Sequence, residues 1–158
     1  MLISVVIVIF CYHSSMLNSK ELKELVLKSF EMEKNKDPKA NKELLHPDSA
    51  VTELTEVYDG TVFRRLEGPK LTEYMYMAFE TTGRDYEFKH VIADEESQTV
   101  VVEFVESYPE EKTGKVFRTP QISVCEIKDN KLFRTRHYMD PRLSYKYLDK
   151  SDIDWALT

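Results

Sequence analysis

Four stretches in the C-terminal half constrain this chain more than anything else in it: DYEFKHVIAD (85–94), TVVVEFVESY (99–108), KVFRTPQISVCEIK (115–128) and KLFRTRHYMD (131–140). Each alternates in side-chain character with a period of two, the signature of a strand with two unlike faces. Short polar links join them. KDNK, between two alternating runs, is a hairpin turn, and PEEKTG is a longer one. Strands this close in sequence pair antiparallel, because a parallel neighbour needs a crossover of about a dozen residues or more. The result is a meander of long strands, and such a sheet must bury one face against something else.

The preceding half supplies the cover. Asn18 and Glu21 stand in capping-box spacing, and Leu22, Leu25, Val26, Ser29 and Phe30 then recur on one helical face, so the spacing predicts a helix to about Lys36. Asp37-Pro38 is a second start signal, with Asp as cap and Pro at the first helical position, for a short helix ending near LLHPD. AVTELTEVYDG reads as a strand running into a turn. PKLTEYMYMAFETTG reads as a third helix, with Leu71, Tyr74, Met75, Ala78 and Phe79 on one face and Gly83 as its stop. Helices first and strands after define an α+β domain, and 158 residues suit one core.

The expected organisation is a single domain over residues 16–158 with a short C-terminal tail, preceded by an apolar extension at 1–15. MLISVVIVIFCY is shorter than the roughly 20 residues that cross a bilayer. It lacks a preceding Lys or Arg and a small-residue cleavage site, so it fits an upstream extension or start-site artefact, an uncleaved or weak signal segment, or an extra strand. Met16, before LNSKELKELVLKSF, looks like a natural domain start. The net charge of −6 and the scattered basic residues argue against nucleic-acid binding. Two cysteines, Cys11 and Cys125, and four histidines, His13, His46, His90 and His137, give no disulfide framework and no metal-ligand spacing. The expectation is a cytoplasmic, reducing environment, with secretion left open by the apolar N-terminus, and no cofactor.

The pleat of TVVVEFVESY puts Val100, Val102, Phe104, Glu106 and Tyr108 on one face. A carboxylate ending an apolar row suits a general acid or base if it is buried, and a solvated strand end if it is not. Glu53 follows Val51 in the same way on the first strand. His90 shares a row with Tyr86, Phe88 and Ile92, as a core residue or a hydrogen-bonding pocket partner. Tyr58, Tyr108 and Tyr138 are candidate donors to a ligand oxygen. Asp140 has two readings: the cap of a helix begun by Pro141, or a pocket acid.

The order of elements, and above all TGKVFRTPQISVCEIKDNKLFRTRHYMD, resembles the SnoaL-like branch of the nuclear transport factor 2-like superfamily, from residue 18 to about 150. The branch's last hairpin runs from a TG strand start through a DGKI-type turn to R-x-Y-x-D; here Asn130 stands for the usual Gly and Leu132 for the usual Ile. The resemblance implies a cone-shaped, curved antiparallel sheet with three helices from the N-terminal half on its concave face. It implies an apolar pocket for a small hydrophobic molecule and a homodimer formed through the sheet. It also implies relatives among polyketide cyclases, ketosteroid isomerases and limonene epoxide hydrolases, which work without cofactors. On that basis Glu106 and Asp140 match the two acids of the epoxide hydrolases, and Glu53 lies near the general base of the isomerases. Phe104 stands where the epoxide hydrolases carry an arginine, a role left to Arg136 or Arg134, and Ser29 and Phe30 stand near the isomerases' helix-one tyrosine. The expected chemistry is acid/base isomerisation, cyclisation or hydrolysis by Glu106, Asp140 and Glu53. His90, Phe104, Tyr108, Tyr58, Tyr138 and Arg136 would line the pocket. The alternative is a non-catalytic binding module, or a dimeric interaction module, of the same fold.

Overall fold

A computed structural model of the chain describes residues 16–139 apart from 59–60, 110–113 and 115. Nine elements follow in chain order: α1 (Ser19–Lys34), α2 (Pro38–Leu44), β1 (Val51–Tyr58), β2 (Thr61–Glu67), α3 (Gly68–Ala78), β3 (Asp85–Asp94), β4 (Thr99–Pro109), β5 (Val116–Lys128) and β6 (Lys131–Met139). The start signals work as read. Asn18 accepts from the backbone of Lys20 and Glu21 while Glu21 reaches back to the Asn18 N–H, and Asp37 accepts from Ala40 ahead of Pro38. The third helix is shorter than expected. It ends at Ala78, and Gly83 lies beyond it at φ +70°, in the turn that leads into β3.

β2 has no counterpart in the sequence reading. TVFRRLE mixes apolar and charged residues too densely to show a clean alternation, but it folds back on β1 as an antiparallel edge strand. The sheet order is β2-β1-β6-β5-β4-β3. Every pair is antiparallel except β1 with β6, which lie side by side in parallel because the intervening helix and meander form the crossover. The KDNK turn is tight, with Asp129 and Asn130 both at positive φ, as a two-residue hairpin turn requires.

The three helices cover the concave face of this curved, unclosed sheet. Leu22, Val26 and Phe30 of α1 pack on Val100, Val102 and Phe104 of β4, together with Cys125, Ile127 and Leu132. α3 covers the other end, where Leu71 meets Leu54 and Leu66. Phe30, Tyr86, Phe88 and Phe104 form an aromatic group with centroid distances from 4.9 to 6.4 Å, mostly edge-to-face, with Tyr86 stacked on Phe88. The end of the fold under α1 is thus a solid core. Along β4 itself, the inner row turns polar beyond Phe104.

Candidate functional site

Register decides which side chains meet. On β4, Val102, Phe104 and Glu106 face the helices; on β5 their cross-strand partners are Ser123, Gln121 and Thr119; on β6, Ser123 stands opposite His137. The inner face therefore carries a polar row, with Thr119 4%, Gln121 6% and Ser123 0% exposed, beside the apolar row of β4. Glu106 joins the two, its side chain only 13% exposed. Gln121 donates from Nε2 to Glu106 Oε2 at 2.5 Å. Arg84, at the entrance to β3, brings Nε to 3.1 Å from Glu106 Oε1. The same guanidinium pairs through Nη1 with Glu33 of α1 and donates from Nη2 to Thr81 Oγ1 at 3.0 Å.

Two further groups complete the cluster. Ser123 Oγ and His137 Nδ1 share a hydrogen bond at 2.7 Å, which fixes the imidazole plane. Burial, reinforced by the charge of Arg84, lowers the His137 pKa to about 4, so the ring is neutral near pH 7. Tyr86, the cross-strand neighbour of Glu106, has its phenol pushed upward by burial and then by the Glu106 carboxylate. It stays protonated, so its hydroxyl keeps a proton to donate. The cluster thus holds a carboxylate, a cation, a neutral imidazole and a phenol within one enclosed neighbourhood.

Of the residues expected to form the site, Glu106 lies at its centre. Phe104 is 2% exposed and belongs to the aromatic core beside it. Tyr108 follows Glu106 on the inner row and is half-buried. The pleat carries the others to the opposite, outer face. Glu53 is paired in register with Arg136 and Arg65, and its carboxylate accepts from Arg134 Nε and Nη2 at 3.0 and 2.7 Å and from Arg65 Nη1 at 2.9 Å. Burial raises its pKa, but the Arg134 and Arg65 guanidiniums outweigh that and hold it below the usual carboxylate range. Arg136 bonds Glu126 at 2.7 Å on the same outer face, and Tyr138 is 44% exposed there. Neither Arg134 nor Arg136 reaches Glu106; that place is taken by Arg84.

His90 also needs correcting. Strict alternation groups it with Tyr86 and Phe88, but a β-bulge between Phe88 and His90 moves the register by one residue. Tyr86 and Phe88 face inward, Val91 and Ala93 continue the inner row, and His90 points outward against Glu103 at 2.7 Å with its side chain 71% exposed. Asp140 and the Tyr58 side chain lie outside the described residues.

Arg84, Glu33, Gln121, Ser123 and His137 were not anticipated as members. β5 did carry a signal: Thr119, Gln121 and Ser123 alternate with Pro120, Ile122 and Val124, and the polar set is the buried one. Arg84 and Glu33 carried none, since each reaches the cluster from an element end. Among the described residues no group of three or more His, Cys, Asp or Glu side chains could hold a metal. No helix there is long and apolar enough to cross a membrane. A shallow groove of about 200 Å³ lies between α1 and β3, sharing Tyr86 with the cluster and otherwise lined by Leu27, Phe30, Glu31, Lys34, Asp85 and Phe88.

No family model and no curated protein matches the chain. Solved structures do. A Bacillus subtilis protein provisionally assigned as an isomerase is 25% identical, over 81% of this chain and 92% of its own, with a TM-score of 0.69. An LEH-like epoxide hydrolase of M. tuberculosis is 17% identical, over 88% of this chain and 90% of its own, at 0.61. A protein of Jannaschia sp. CCS1 provisionally assigned as a SnoaL-like polyketide cyclase is 13% identical, over 88% and 92%, at 0.63. Six strands in this order, three helices on the concave side and these likenesses converge on one conclusion: the chain has the α+β fold of the nuclear transport factor 2-like proteins.

Proposed function

We propose that the inner polar cluster receives a small hydrophobic molecule and that Glu106 acts there as a general acid/base, in a cofactor-free isomerisation, cyclisation or hydrolysis. One observation carries this reading: a carboxylate 13% exposed ends an otherwise apolar row and meets Arg84 and Gln121 at its two oxygens. A base so placed accepts a proton next to a carbonyl or from an attacking water, while the Tyr86 phenol donates toward the oxygen that gains charge. Neutral His137, oriented by Ser123, offers a second polar contact. Asp140 remains the second acid in this proposal. Glu53 drops out, because its oxygens are committed to Arg134 and Arg65 on the other face. The isomerase, cyclase and epoxide hydrolase assignments among the structural neighbours support this class of chemistry.

The test is a panel of cyclic ketones and epoxides in D₂O, followed by NMR for deuterium uptake or ring opening, with the parent beside Glu106→Gln. The expected result is turnover by the parent and a loss of about 10²–10⁴-fold in the variant. Binding without turnover anywhere in the panel would support the non-catalytic alternative. An absence of binding would remove the ligand-site reading.

The outer face favours a second, compatible proposal. Phe63 (52%), Ile92 (61%), Ile122 (43%) and Tyr138 (44%) are exposed there, a spread of apolar area that suits a homodimer formed sheet to sheet. Sedimentation velocity at micromolar concentration should find a dimer, and Ile122→Lys should shift it to monomer. A monomeric parent overturns the dimer proposal and leaves the first untouched.

A further inference from the structure

The C-terminal turn of α1 grips one short piece of chain at several points. Lys34 Nζ meets Asp85 Oδ1 at 2.6 Å, Lys36 Nζ donates to the Glu80 carbonyl at 3.2 Å and to Thr82 Oγ1 at 2.8 Å, and Glu33 takes Arg84 Nη1. The same piece is tight against β4, since a Cβ on Gly83 would lie 2.9 Å from Pro109 Cδ. The residue held by this clamp is Arg84. Its Nη1 goes to Glu33 and its Nη2 to Thr81. Its Nε is buried 3.1 Å from Glu106 Oε1, yet makes no in-line hydrogen bond. A guanidinium beside a carboxylate normally turns to make a two-pronged pair. Here both terminal nitrogens are already engaged, so the fork stays open.

We infer that Glu33 is a positioning residue for Glu106, keeping Arg84 beside that carboxylate while preventing a closed two-pronged pair. The inference rests on the acid/base reading of Glu106. A carboxylate locked into a guanidinium fork spends a lone pair of each oxygen on the cation and is a weaker base toward a ligand's proton. One held by Gln121 at Oε2, with a cation alongside, keeps Oε1 for it.

The test reads Arg84 directly, by ¹H–¹⁵N spectra of the arginine Nε–H groups, with Arg84→Lys identifying the signal and urea unfolding confirming that each variant is folded. In Glu33→Gln the Nε–H should move downfield and exchange with water about 5-fold more slowly, as the fork closes on Glu106. Thr81→Val, which frees Nη2 without changing charge, should move it the same way and keeps the test open if Glu33→Gln fails to fold. Glu33→Asp should keep the parent signal, and Glu33→Gln combined with Glu106→Gln should abolish the shift. An unmoved or faster-exchanging Nε–H in the variants overturns the positioning role. On a substrate found in the panel, Glu33→Gln should lower kcat about 10-fold with KM nearly unchanged, and Glu33→Asp should recover most of it. A moved Nε–H without turnover in any protein keeps the positioning role and removes the catalytic reading. Turnover by the parent with a silent Nε–H does the reverse.

Discussion

Glu53 and Glu106 look alike in the sequence, each a carboxylate after an apolar neighbour on a strand, and the structure gives them opposite work. Glu53→Gln breaks contacts to two arginines at a side chain 7% exposed, so it should cost about 2–4 kcal/mol in urea unfolding at pH 7. Because the Glu53 pKa is lowered when folded, that stabilisation is present above the ordinary value of 4.5 and is lost as pH falls below it. The gap between variant and parent should therefore shrink toward pH 3, with any turnover unaffected. Glu106→Gln should cost less, about 1–3 kcal/mol, because Arg84 retains Glu33, but it should lower turnover about 10²–10⁴-fold. His137 acts in the same direction along the pH axis but over a higher window. Its pKa falls from 6.5 to about 4 on folding, so the unfolded chain takes the proton first and stability is lost between those values as pH drops. The penalty below pH 4 is about 3 kcal/mol, and His137→Gln should flatten that part of the parent's stability curve.

At the scale of elements, local signals were read where local physics decides. The Asn18 capping box, the Asp37-Pro38 start and the two-residue Asp129-Asn130 turn each depend on a few adjacent residues. Asn18→Ala should cost about 1 kcal/mol, and Asn130→Ala, which forces a Cβ-bearing residue without a polar side chain into φ +59°, about the same; thermal unfolding of each variant checks both. What stayed hidden depended on partners. β2 forms because β1 offers it a pairing edge, not because TVFRRLE alternates cleanly. The bulge after Phe88 is set by the need of Phe88 and Val91 both to pack inward, and it alone moves His90 from the inner row to solvent. His90→Ala should accordingly change stability by less than about 0.5 kcal/mol, where an inward histidine would have mattered.

Across the whole molecule, the sequence by itself determined the class of fold: helices packed on a long-strand meander, and a carboxylate at the end of the β4 apolar row. These follow from periodicity, capping and turn chemistry, which act over a few residues. Only the tertiary structure decided who shares a face with Glu106. The parallel pairing of β1 with β6 puts Glu53 on the far side of the sheet, and the β4–β5–β6 register brings Gln121, Ser123 and His137 beneath the helices. Arg84 and Glu33 are 51 residues apart and come from a turn and a helix end. Their meeting depends on how α1 lies across the sheet, and side-chain spacing along the chain does not encode the distance between elements that pack.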